Sequence, residues 1–115
     1  MTQPRITVDE VKAAYEKCGR KPVRQMWIPS KRSCCPAAAV YIATNPGADV
    51  NRLDADIVAH GWACRAYGHD YVDGFTRAVD GCVLSRTASV DEKQGYADGV
   101  AVASAIFGET SNQPS

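Results

Sequence analysis

The 115-residue chain lacks any apolar run long enough to cross a bilayer, which excludes a membrane-spanning helix. It lacks net charge. Thirteen Lys/Arg balance thirteen Asp/Glu, so no global field draws it to nucleic acid or to an anionic membrane. Met-Thr-Gln-Pro-Arg at the start has no apolar core of a signal peptide, so the expected compartment is cytoplasmic, with thiols reduced. The spaced glycines of a Walker loop are missing. So is the Asp-x-Asp-x-Asp-Gly frame of a calcium loop.

What is present is an ordinary core composition, 45% apolar and 23% charged, which disfavours disorder. We expect one globular domain over residues 1–108 and a loose polar tail over 109–115. Charge is unevenly placed. Residues 1–36 carry eight Lys/Arg and three Asp/Glu, a net of +5, and the remainder carries five and ten, a net of −5. Six cations (Lys17, Arg20, Lys21, Arg24, Lys31, Arg32) follow one another with no acid between them. Such a segment either rests against the chain's own acidic surface or meets an anionic partner.

Periodicity and capping predict a mainly helical fold: about five helices packed around a buried central helix, with one short two-stranded ribbon. Thr7-Val8-Asp9-Glu10 is a capping box, and Val11, Ala14, Tyr15 and Cys18 follow on one stripe until Gly19, so a helix is expected over 8–18. Pro36 suits a first helical position, which makes Cys35 the cap of a helix whose run Ala37 to Ala43 is apolar on nearly every side. A third helix is expected over about 51–67, with Leu53, Ile57, Gly61 and Cys64 inward. A fourth is expected to be capped by Asp70, with Tyr71, Phe75, Ala78, Val79 and Cys82 on one face. Ser89-Val90-Asp91-Glu92 opens a last helix that stops at Gly108. Val83 to Arg86 is a candidate strand, with 23–28 as its partner. Tyr71-Val-Asp73-Gly74 is echoed by Tyr96-Ala-Asp98-Gly99. A glycine inside a helix costs about 1 kcal/mol relative to alanine, so Gly74 and Gly99 are expected where two helices approach closely.

The densest chemistry lies at Lys31-Arg32-Ser33-Cys34-Cys35-Pro36. A helix N-terminus and two cations would lower a thiol pKa there, which is what nucleophilic or redox work requires. The candidate catalytic residues are therefore Cys34, Cys35 and His60, with His69 as the other imidazole and Asp70 or Asp73 to orient it. The same geometry without sulfur chemistry is an anion site, for which the candidate ligand-binding residues are Arg24, Trp27, Lys31, Arg32 and Ser33. His60 and Cys64 at i, i+4 could join Cys34 and Cys35 around zinc. Adjacent cysteines chelate one ion poorly, and no metal or cofactor is expected. Trp27 as the one aromatic among six cations gives thin support for nucleic-acid binding. Free cysteines usually pack as small hydrophobes, and Cys18, Cys64 and Cys82 are expected in the core.

The favoured reading is a binding or accessory protein, and not an enzyme. It would hold an anionic ligand or an acidic protein surface along Lys17–Pro36. Self-association is a related expectation, with the basic segment of one copy on the acidic surface of another. A thiol-dependent enzyme using Cys34 or Cys35 and a purely structural module are the rivals.

Overall fold

The computed structural model describes residues 4–24, 27–28, 33–49 and 54–108. The chain runs α1 (Val8–Cys18), β1 (Lys21–Pro22), β2 (Ser33–Cys34), α2 (Pro36–Thr44), α3 (Ala55–Tyr67), α4 (His69–Val79) and α5 (Val90–Phe107). Local signals set most of the ends. The Thr7 hydroxyl accepts from the Glu10 N–H, and Gly19 closes α1 in the left-handed region at φ 69°. At α5 the Ser89 hydroxyl accepts from the Glu92 N–H, and Gly108 closes the helix at φ 68°. Cys35 is the extended N-cap of α2, with Pro36 in the first turn.

The core gathers around α2, where Pro36 to Tyr41 are buried without a break. This helix packs against α1 and α3. The tightest pairing lies elsewhere, between α4 and α5. A Cβ at Gly74 would overlap the Glu92 carbonyl and stand 2.8 Å from the Tyr96 nitrogen. A Cβ at Gly95 would overlap the Tyr71 carbonyl, and one at Gly99 would stand 2.7 Å from the Ala78 Cβ. Backbone touches backbone there, so only glycine fits. The expected role of Gly74 and Gly99 is met, and Gly95 joins them. Asp70 meets Ser89 near the start of both helices, Phe75 lies between Gly95 and Gly99, and Tyr96 reaches the Cys82 carbonyl just past the end of α4. The pairing advances in one sense along both helices, so they run parallel and residues 80–89 bring the chain back.

Several expectations are corrected. β1 pairs in parallel with β2, Lys21 opposite Ser33 and Pro22 opposite Cys34, and residues 83–86 form no strand. α3 buries its alanine face, Ala55, Ala59, Ala63 and Tyr67, while Ile57 is 74% exposed. Small residues on that face let the helix lie close to the core, and this outweighs the larger apolar side chain on the other. Gly68, and not Asp70, occupies the N-cap of α4, because the Asp70 carboxylate is taken by the Ser89 hydroxyl at 2.9 Å. α4 ends at Val79, which leaves Cys82 exposed; Cys18 and Cys64 are half-buried. Leu53 and the tail over 109–115 lie outside the described residues. Among the described residues no helix is long and apolar enough to cross a membrane.

Candidate functional site

The segment joining α1 to α2 is laid down by single contacts. Gly19 turns the chain back so that β1 lies beside β2. The Cys34 carbonyl accepts from the Val23 N–H at 3.2 Å and from the buried Tyr15 hydroxyl at 2.7 Å. The Cys35 N–H donates to the Trp27 carbonyl at 2.9 Å, and the Ile28 N–H donates to the Asp56 carboxylate at 2.8 Å. Arg20 reaches the Ser33 carbonyl at 3.4 Å. Arg24 lies over the Phe107 ring, 4.5 Å from its centroid, a cation–π contact with the far end of α5. Lys17 and Lys21 are exposed, and no described acid forms an ion pair with either. Lys31 and Arg32 lie outside the described residues.

Both thiols of the pair are buried, Cys34 at 0% and Cys35 at 5% exposure. Burial raises the Cys35 thiol to about 12, against the opposing pull of the Ala38 and Ala37 N–H groups at the start of α2. Burial also raises the Cys34 thiol, helped by the neighbouring Cys18 and Cys35 and opposed by Arg20. The expected lowering is thus reversed, because loss of hydration outweighs the helix terminus and the nearby cation. The Cys35 side chain borders a narrow crevice with Trp27, Phe75 and Asp80.

His60 is not placed as expected. Its ring meets the edge of Trp27 at 5.3 Å and the ring of His69 at 6.5 Å, and both of its nitrogens lie 3.8 Å from the Cys64 sulfur. Among the described residues no hydrogen bond links it to Cys34 or Cys35. His69 lies beside Asp70 and Asp73, at 3.6 and 3.8 Å, as the expected orienting pair would require, but all three side chains are largely solvent-exposed. Burial raises the Cys64 thiol as well. No group of three or more such side chains that could hold a metal ion occurs among the described residues.

The sequence reading missed a buried polar anchor. Asp98, 8% exposed, accepts from Arg5 at 3.0 and 2.6 Å, from Gln94 at 3.3 Å and from the Tyr71 hydroxyl. Tyr71 in turn accepts from the Ile6 N–H at 2.7 Å. Burial acts to raise the Asp98 carboxyl, yet Arg5, Tyr71 and Gln94 together hold it below the ordinary carboxylate range. Every acceptor direction of this carboxylate faces a donor, so it pins the N-terminal segment to α4 and α5 and has little capacity left for a substrate. The signal in the sequence was the echo itself: Tyr71 of one copy binds Asp98 of the other. A second overlooked feature is the spacing Cys18-x5-Arg24, which a phosphatase loop would share. Here Cys18 ends a helix and Arg24 turns to Phe107, so no anion cradle forms between them.

No protein-family model matches this chain, and no curated protein or solved structure is significantly similar to it.

Proposed function

We propose that this chain is a small binding or accessory protein that holds an acidic protein surface along Lys17–Pro36. The observation that supports the reading is the pair of exposed cations Lys17 and Lys21, in a stretch of sixteen residues with six cations and no acid. Arg20 and Arg24 fix the path of the segment through a carbonyl and a ring, which leaves the lysines to face outward. Exposed charges of one sign steer an oppositely charged partner and lose that influence as salt screens them. The rival reading, a thiol-dependent enzyme, is opposed by burial of Cys34 and Cys35.

Fluorescence anisotropy with a labelled polyglutamate peptide at low ionic strength tests the proposal. Binding is expected, weakening with added salt and falling at least about tenfold when Lys17 and Lys21 are both changed to Glu. Cys34→Ala and Cys35→Ala should leave it intact. Absence of binding, or binding indifferent to the lysine changes, would sink the idea. A second reading, self-association, draws on the +5 and −5 partition of the chain. Sedimentation at low and high salt would reveal it as a salt-sensitive increase in mass with concentration.

A further inference from the structure

Aromatic rings touch one after another from α2 through α3 to α4. Tyr41 meets Trp62 with centroids 5.5 Å apart, Trp62 meets Tyr67 at 6.0 Å, and Tyr67 stacks on Tyr71 at 5.9 Å with 25° between the planes. Phe75 stacks on Tyr71 at 6.5 Å and ends the series, since a phenyl ring is much harder to oxidise than a phenol. The rings differ in access. Trp62 is half-buried, Tyr41 and Tyr67 are buried, and Tyr71 is fully buried. They differ also in what can become of a proton. A phenol gives up an electron readily only when its proton leaves with it. The Tyr71 hydroxyl donates to the Asp98 carboxylate, so a base already stands within hydrogen-bond reach. Among the described residues the Tyr41 hydroxyl has no such acceptor.

We propose that Trp62, Tyr67 and Tyr71 relay an oxidising equivalent from the surface into the core, where Asp98 accepts the Tyr71 proton. A one-electron oxidant such as the carbonate radical takes an electron from the Trp62 indole and is itself reduced. An electron then passes from Tyr71 across the Tyr67 ring to the indole, which is restored. The Tyr71 O–H bond breaks, and its proton moves to the Asp98 oxygen that it already touches. One electron has left the protein and no proton has. The products are a neutral Tyr71 phenoxyl radical and a protonated Asp98. Arg5, bonded to Asp98 at 3.0 and 2.6 Å, opposes protonation of that carboxylate. An oxidised phenol is a far stronger acid than any carboxyl group, so the transfer still runs forward. The Ile6 N–H, 2.7 Å from the Tyr71 hydroxyl, holds it in place. The radical then sits where oxygen and other radicals reach it poorly, and Trp62 is spared irreversible oxygenation. Trp27 supplies the contrast. It is half-buried too, but its described ring partner is His60 at 5.3 Å, and an imidazole is harder to oxidise than an indole.

The test is one-electron oxidation of the full folded chain by a photoexcited ruthenium tris(bipyridine) complex with a cobalt(III) quencher, after the exposed Cys82 has been alkylated. Electron paramagnetic resonance of freeze-trapped samples should show a tyrosyl radical. Its yield should fall in Trp62→Phe, which keeps an apolar ring at a half-buried position, and in Tyr71→Phe. It should fall also in Asp98→Asn, whose amide cannot take the proton. After longer illumination in air, mass spectrometry of the unaltered protein should find oxygen added to Trp27 and little on Trp62. That sparing of Trp62 should be lost in Tyr71→Phe. A tyrosyl yield unchanged by any one of the three substitutions, equal oxygen uptake by Trp27 and Trp62 in the unaltered protein, or sparing that persists in Tyr71→Phe would each overturn the proposal. The comparison of the two tryptophans needs no substitution, so it decides the matter even if Tyr71→Phe fails to fold.

Discussion

Between α4 and α5 the backbones touch, whereas between α1 and α2 the chain is tied down by one hydrogen bond at a time. The first region is held by close contact along two helices whose own hydrogen bonds are complete. The second has a ribbon of two residues per strand, with Lys17 and Lys21 exposed beside it. A part built the first way resists change everywhere along its length. A part built the second way can be altered at its surface with little cost to the fold, which is where binding and modification belong.

The largest effect should come from putting a methyl group where backbones meet. Gly95→Ala, and Gly74→Ala independently, force a carbon into a carbonyl of the partner helix. Each should cost about 3 kcal/mol, at or above the upper end for overpacking, measured by urea denaturation. If either were neutral, the close contact would not exist in solution. Tyr71→Phe comes next. It removes one donor to Asp98 and leaves the Ile6 N–H without its acceptor, at a cost of about 1–3 kcal/mol. The same anchor carries a pH signature. The folded Asp98 carboxyl lies below its ordinary value of 3.8, so its contribution is complete well above 3.8 and is lost as pH falls from there through the lower folded value. Stability measured from pH 6 to pH 2 should show this loss in the unaltered protein and less of it in Asp98→Asn.

Smaller effects belong to the other region. In alkylation of the folded protein at pH 8, exposed Cys82 should react first, with Cys34 and Cys35 at least about a hundredfold slower, because both are buried with raised thiol pKa values. Equal rates would mean that the segment opens freely. Smallest of all, Lys17→Glu and Lys21→Glu should each change stability by no more than about 0.5 kcal/mol, since neither side chain has a described partner to lose. A larger loss would show that the lysines serve the fold.

The sequence was legible where a local signal decides the outcome. α1 and α5 begin at capping boxes and end at glycines, and both were readable residue by residue. The helix crossing was readable from Gly74 and Gly99, and the spacing Gly95-x-x-x-Gly99 could have added the third glycine. The reading failed where a distant partner decides. Nothing near Ile57 announces that the alanine face of α3 is the buried one. Nothing near Pro22 announces a parallel bridge to Cys34. The thiols were misjudged for a related reason. A helix start and a cation are visible in sequence, but the burial that opposes them comes from α1 and α4, residues away along the chain. Asp98 was passed over because its partner Arg5 lies 93 positions earlier.

That last separation bears on the order of assembly. The contacts of α4 with α5 join residues about twenty positions apart, so they close small loops and can form early. The bond from Arg5 to Asp98 must close almost the whole chain. It waits until α4 and α5 have met, because Asp98 and Tyr71 become one acceptor site only when the two helices are paired. The N-terminal segment is thus expected to dock last and to leave first. Amide exchange at Ile6 should report that opening long before the glycine-packed pair comes apart.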